Sequence, residues 1–373
     1  MKFRVERDAL ADAVAWTARS LPNRPAVPVL AGILLSASDS SLSVSGFDYE
    51  VSAQVDIDVI VITPGQVLVS GRLLAEISRS LPPHPVEVAA DGSRVTISCG
   101  NTRFTLPTMP IEDYPRLPAM PTTAGTVASA VFAQAVAQVA VAAGRDDTLP
   151  MLTGVRMEID GDRLTLAATD RYRLAVREVA WSPADPAADP VQVLVPARTL
   201  AEAAKSLTSD ERVTIALSST GVGEGIIGFS STGRRTTTRL LDAQFPPYRS
   251  LLPSEFNVSV DVDVAILVDA VKRVSLVADR GTPVRLDFSD GSVALSAGGE
   301  DEGRAEEQVE ASFDGEDITT AFNPHFLLDG LSAVDAPTAR LLFTTAGKPA
   351  VIRAAGADGA AYTYLIMPVR LPG

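Results

Sequence analysis

One cysteine, Cys99, stands in 373 residues. No disulfide can form within the chain, and such usage fits a reducing compartment. Histidine is nearly as scarce: His84 sits in the loop-like "LPPHPVE" and His325 at a helix start, too far apart in sequence to suggest a metal pair. Lysine occurs four times against 28 arginines, a bias that, with the abundant alanine, fits a GC-rich genome and carries no functional meaning. No apolar run approaches the roughly 18 residues of a membrane span. The opening "MKFRVERDAL" lacks the apolar core of a signal peptide. The expectation is a cytoplasmic protein with no membrane partner.

What is present is ordinary for a globular protein: 46% hydrophobic and 21% charged residues. At roughly 100–200 residues per domain the length allows two to four domains. The net charge of −14 argues against wrapping a polyanion, unless the charge is unevenly distributed.

The chain repeats itself. "VSGRLLAEISRSL" (69–81) and "VPARTLAEAAKSL" (195–207) are nearly the same helix. A shift of 122 lays "LAGILLSASDSSLSVSGFD" (30–48) on "LTGVRMEIDGDRLTLAATD" (152–170), matching Gly32 with Gly154 and Asp48 with Asp170. A further 129 lays "GVRMEIDGDRLTL" on "PVRLDFSDGSVAL". The helix returns as "FNPHFLLDGLSAV" (322–334), and each copy closes on a proline-rich end, "MPIEDYPRLP", "FPPYRSLLP" or "YLIMPVRLP". Proline-containing linkers separate the copies. The expected organisation is therefore three similar domains, 1–120, 121–252 and 253–373. Apolar positions at helical spacing open each copy, alternating strands follow, and a second helix lies mid-copy. Each domain is thus α+β, two helices packed on antiparallel sheet.

The six helical stretches, 7–19, 72–79, 133–145, 198–205, 264–273 and 325–332, together carry +3, leaving −17 on the rest. Arg72, Arg79, Arg145, Arg198, Lys205, Lys272 and Arg273 supply the positive side, and Arg24 follows the first helix. These cations either solubilise helix faces or form a lining that meets phosphates without sequence preference. Two chains would bring about twelve helices side by side. At 8–10 Å spacing they enclose an opening of about 25 Å, enough for a DNA duplex.

No catalytic constellation stands out. Cys99 lies in an apparent strand and reads as a buried structural thiol. Thr169-Asp170-Arg171 reads as a turn at a strand end. Gly223-Glu224-Gly225-Ile226-Ile227-Gly228 matches G-x-G-x-x-G, but "FSSTGRRTTTRL" after it is strand-like, so a hairpin loop is expected rather than a dinucleotide site. No metal and no cofactor are expected. The tail "YLIMPVRLPG" is too apolar for a free terminus; it either completes a core or lines a groove.

Six stretches in order, "MKFRVER", "RPAVPVLAGILL", "TDRYRLAV", "FPPYRSLLP", "FNPHFLLDGL" and "YLIMPVRL", resemble the bacterial beta sliding clamp, the processivity subunit of DNA polymerase III. The resemblance covers the whole chain and is greatest to clamps of high-GC Gram-positive bacteria. It implies a non-catalytic homodimeric ring of two head-to-tail chains, helices inside, encircling double-stranded DNA. It also implies a groove for short linear motifs with leucine and aromatic anchors, shared by replicative polymerase, clamp loader and repair proteins. The matching positions are Leu152, Thr169, Tyr172, Arg173, Leu174, Pro246, Leu251, Asn323, Phe326, Pro349, Leu365, Ile366, Met367, Pro368, Val369, Arg370 and Leu371. Many relatives have Gly-His where this chain has Arg171-Tyr172, and Ser250 stands where some have arginine. Ring closure would join Phe104 and Leu106 to the side carrying Leu276. Arg94 and Arg103 would face the acidic strand of Glu300, Asp301, Glu302, Glu306 and Glu307. The rival expectations are a diverged clamp paralogue, a peptide-binding scaffold that does not encircle DNA, and an enzyme with an unrecognised site.

Overall fold

A computed structural model describes the chain except residues 23, 209, 219–224, 279–280, 290, 299–302, 357–360 and 371–373. The element order recurs three times. In the first third it runs strand Lys2–Val5, helix Arg7–Ala18, strands Gly32–Ser38, Ser41–Phe47, Val51–Asp58, Ile60–Thr63 and Gly65–Ser70, helix Gly71–Ser80, then strands Val86–Asp91, Arg94–Cys99 and Thr102–Pro107. The second third opens with Thr122–Ala128 and helix Ser129–Ala140, and the last with Val258–Asp263 and helix Val264–Val274. The second and last thirds repeat the order, and the second adds one short helix, Pro150–Thr153.

The repeat extends to single hydrogen bonds. The Asp48 carboxylate accepts from the amides of Glu50 (3.0 Å) and Val51 (2.7 Å). Asp170 accepts likewise from Tyr172 (3.0 Å) and Arg173 (3.1 Å). The residue after each aspartate has positive φ, Tyr49 at 76° and Arg171 at 79°. This aspartate-closed turn reverses the chain between the second and third strands of the four-strand half.

The chain packs as two compact units. One holds 1–130, 183–185 and 202–240; the other holds 131–182, 186–201 and 241–373. The middle third contributes to both, because strands pair across repeats. In the first unit Arg234–Arg239, the last strand of the middle third, pairs antiparallel with Val51–Asp58. That joins two half-sheets into one sheet of nine strands. In the second unit Tyr362–Ile366 pairs with Arg173–Ala180 in the same way, giving another nine-stranded sheet. The remaining half-sheets stay separate. A five-stranded sheet in the first unit ends at Thr102–Pro107, and a four-stranded one in the second ends at Arg304–Glu310.

Apolar helix faces cover the sheets. Helix Arg7–Ala18 buries Leu10, Ala13, Val14 and Trp16; Val264–Val274 buries Leu267, Val268, Ala270, Val271 and Val274. Such spacing puts one stripe on the core. Helix Gly71–Ser80 starts so close to its neighbours that a β-carbon on Gly71 would collide with Leu21 and Ile33. Asp263 caps its helix by accepting from the Ile266 amide at 2.9 Å, and Asn323 caps Pro324–Ser332 through the His325 and Phe326 amides.

Three expectations are corrected. The helix expected at 133–145 runs Ser129–Ala140, and the chain then turns, with the Gly144 amide donating to the Leu152 carbonyl at 2.7 Å. Arg145 therefore follows the helix rather than lying on it. Arg94 lies on the strand next to the sheet edge, not on the edge itself. Leu106, expected at a joining surface, is 2% exposed in its own core.

Candidate peptide-binding site

The apolar tail first completes a core and then runs along the surface. Tyr364, Leu365 and Ile366 are buried in strand Tyr362–Ile366, completing a core. Beyond Ile366 the chain stays extended. Its Met367 amide donates to the Tyr172 carbonyl and its Val369 amide to the Ala321 carbonyl, both at 2.8 Å. This holds the side chains of Met367 and Val369 outward, 38% and 37% exposed. Tyr172 (58%) and Leu251 (50%) are exposed in the same unit. Large apolar side chains held in the open mark interaction surfaces when they gather, not when they are scattered.

The other expected residues range from buried to exposed. Leu152 and Leu174 are buried, and Leu174 and Leu365 share a core cluster with Phe245 and Tyr248. Thr169 is buried and donates its hydroxyl to the Arg173 carbonyl at 2.6 Å. Pro246, Pro349 and Pro368 are half-buried, and Arg370 is exposed. Phe326 lies on the first turn of the helix capped by Asn323, its ring stacked on Tyr172 with centroids 6.3 Å apart. Leu371 lies outside the described residues.

Arg173 ties these parts together. Its guanidinium is nearly buried, donates to Asp170 at 2.9 Å and Asp329 at 2.5 Å, and lies 4.3 Å from the Phe326 ring centroid. Burial alone would lower its pKa; Tyr364, Asp329 and Asp170 outweigh burial and raise it, so the charge is permanent. Burial drives the Tyr364 hydroxyl pKa upward, and that hydroxyl donates to the Phe326 carbonyl at 2.8 Å. Asp329 and Tyr364 are not among the residues the sequence points to. Asp329 leaves one trace there: it makes its helix the only acidic one of the six.

The expected cations are exposed. Arg24, Arg72, Arg79 and Lys205 belong to the first unit, and Arg145, Arg198, Lys272 and Arg273 to the second. Arg72 and Arg79 line a cavity of about 740 Å³ with Leu21, Pro22 and Ala31. Lys272 and Arg273 are engaged by acids. Lys272 lies 3.4 Å from Asp269, and Arg273 makes two bonds to Glu307, at 3.0 and 2.6 Å. Glu307 is expected at ring closure and Arg273 at DNA; the structure pairs them with each other.

Of the other joining residues, Arg103 is exposed and Phe104 half-buried on the edge strand Thr102–Pro107. Leu276 is 84% exposed, and Glu306 is ion-paired with Arg304 two residues away. Glu300, Asp301 and Glu302 lie outside the described residues. Cys99 is buried, its thiol 3.2 Å from the carbonyls of Pro82 and His84. A strand, Ile226–Ser231, follows the glycine-rich "GVGEG" (221–225), of which 221–224 lie outside the described residues. Among the described residues no three His, Cys, Asp or Glu side chains gather as a metal site, and no helix is long and apolar enough to cross a membrane.

Fold and site together define a scaffold of three α+β repeats of one pattern, with Tyr172 stacked on Phe326 and bonded to an exposed Met367. Family models agree on what it is. Those for the N-terminal, central and C-terminal domains of the DNA polymerase III beta subunit match residues 1–118, 126–247 and 249–370. The chain belongs to the DNA polymerase III beta subunit family, the beta sliding clamps. It is 59% identical to the beta sliding clamp of Streptomyces coelicolor over 100% of both chains. Identity to that of Micrococcus luteus is 53%, over 83% of this chain and 98% of the relative. A sliding clamp from Pseudomonas aeruginosa, solved bound to griselimycin, superposes with a TM-score of 0.92 at 27% identity over the whole of both chains.

Proposed function

We propose that two copies of this chain close head to tail around duplex DNA. The ring would hold the replicative polymerase, clamp loader and repair proteins at the groove of Tyr172, Phe326 and Met367. It is a processivity clamp with domains at 1–120, 121–252 and 253–373, working in the cytoplasm without chemistry of its own.

One observation carries the ring: the same strand junction occurs twice within the chain. Arg234–Arg239 pairs with Val51–Asp58, and Tyr362–Ile366 with Arg173–Ala180. Each junction joins the last strand of one repeat to the third strand of the four-strand half of the repeat before it. The two strands of these types left at sheet edges are Thr102–Pro107 and Arg304–Glu310. An open edge is a template for pairing, and a second copy supplies the complement of each. Carrying the register over from Thr236↔Ala53 and Ala175↔Tyr364 sets Phe104 opposite Ala305 and Arg103 opposite Glu306. A small residue again faces a large one, and opposite charges face each other across the outer surface. Glu306 then exchanges its partner Arg304 for Arg103.

Sedimentation equilibrium over a dilution series tests the ring. A species of about 78 kDa, twice the 39.1 kDa of one chain, that persists on dilution supports it. A monomer throughout would leave the edges open and favour the non-encircling scaffold. The ion pairs of Lys272 and Arg273 already lean towards that second reading, because paired cations meet phosphates poorly.

A further inference from the structure

Glu158 is a carboxylate that should not be buried. It is 6% exposed, in the middle of strand Gly154–Asp160. One oxygen accepts from Arg156 Nε at 2.5 Å. The other accepts from Arg249 and, at 3.3 Å, from the Tyr248 hydroxyl. Arg156 is held in turn by Gln192 at 2.6 Å. Burying a paired carboxylate seldom adds stability over an apolar residue of the same size, and its best-attested use is to fix one arrangement among several. The question is which arrangement Glu158 fixes.

Its two distant partners lie on one short turn. Tyr248–Leu251 is a single 3-10 turn in the connector between the central and C-terminal domains. Backbone bonds from Ser250 to Pro247 and from Leu252 to Arg249 close it. Arg249 lies 5.0 Å from the Tyr248 ring centroid, and Tyr248 packs on Phe245. The turn therefore moves as one piece. Leu251, 50% exposed and one of the positions the resemblance assigns to the peptide site, is on it. A cavity of about 330 Å³ lies beside the carboxylate, lined by Glu158, Arg249, Arg163, Thr165, Glu178 and Gln192 among others. It leaves Arg249 room to move if the carboxylate lets go.

We propose that Glu158 is a positioning residue for peptide binding: through Tyr248 and Arg249 it latches the connector turn so that Leu251 faces the groove. The effect on affinity rests on the groove being the peptide site, as proposed above; the latch itself does not. Burial and the adjacent Glu158 charge push the Tyr248 hydroxyl up to about 12, so it stays a donor to the carboxylate at any ordinary pH.

The test uses the full chain, a fluorescein-labelled short peptide with leucine and phenylalanine anchors, and amide hydrogen exchange. Glu158→Gln should weaken peptide binding roughly tenfold, within the range of couplings between contacting residues. It should also speed exchange at the Ser250 and Leu252 amides. Arg249→Gln changes a largely exposed side chain and should do the same if Glu158→Gln folds poorly. In a Leu251→Ala background either substitution should cost nothing further, a non-additivity that a general loss of stability would not produce. Unchanged exchange in both variants, unchanged affinity, or effects that add to Leu251→Ala would each overturn the latch. If the wild-type chain binds no such peptide, the groove assignment fails, while the exchange result still decides whether Glu158 holds the turn.

Discussion

Arg171 holds its backbone at φ 79°, a conformation that costs a residue with a β-carbon about 1–2 kcal/mol. The turn tolerates it because the Asp170 carboxylate takes the two following amides and Thr169 takes the Arg173 carbonyl. Arg171→Gly should stabilise the chain by about 1 kcal/mol, seen as a higher urea midpoint at unchanged slope. A fall would mean that the arginine side chain contributes more than its backbone costs. Acid should act on the buried Glu158. Burial would raise its pKa, but hydrogen bonds from Arg249 and Arg156 outweigh it and hold the pKa below the ordinary 4.5. A carboxyl lowered in the folded state stabilises fully above its unfolded value and loses that contribution as pH falls through the folded one. Stability should therefore drop as pH falls below 4.5, and Glu158→Gln should flatten that drop in urea titrations. Equal slopes in both proteins would show that the pairing is not specific to the folded state.

Strand pairing across repeats makes the strongest claim at the level of elements. With Arg103 opposite Glu306, their Cα atoms would lie about 4.5–5.5 Å apart, within disulfide reach. The double variant Arg103→Cys, Glu306→Cys should cross-link into a covalent dimer on mild oxidation, and the buried Cys99 should not interfere. Cross-linking instead from Arg103→Cys with Gln308→Cys would shift the register by two and undo the equivalence drawn from the inner junctions. Elements are also the part most legible in the sequence. A two-residue strand period, a helical period and an aspartate turn are local signals, and the repeat supplies the periods three times over. The exception is instructive. Alanine at 133, 135, 137, 140, 142 and 143 favours helix throughout, but the Gly144 amide is claimed by Leu152, so the helix ends at Ala140. The proposed peptide site is legible only through resemblance. Arg173 meets Asp329 from 156 positions away and Glu158 meets Arg249 from 91, and no local pattern encodes pairings that topology alone creates.

For the whole molecule the question is how a chain of net charge −14 would hold DNA in the proposed ring. The acid lies chiefly outside the helices, and five of the expected DNA-facing cations fall into two groups. Arg24, Arg72 and Arg79 have no acid at ion-pair distance among the described residues, whereas Lys272 and Arg273 are held by Asp269 and Glu307. A cation already neutralised displaces few counterions when it meets a phosphate, so the two groups should differ in salt dependence. The triple variant Arg24→Ala, Arg72→Ala, Arg79→Ala should shorten retention on nicked circular DNA. It should also flatten the plot of log affinity against log salt, by up to about 0.9 for every phosphate that goes without its cation. Lys272→Ala with Arg273→Ala should change that slope far less, and neither set should alter peptide affinity. Equal slopes for the two sets would mean that the ion pairs open on DNA. An unchanged slope in the triple variant would remove these arginines from the DNA-facing surface, whatever the mass of the assembly.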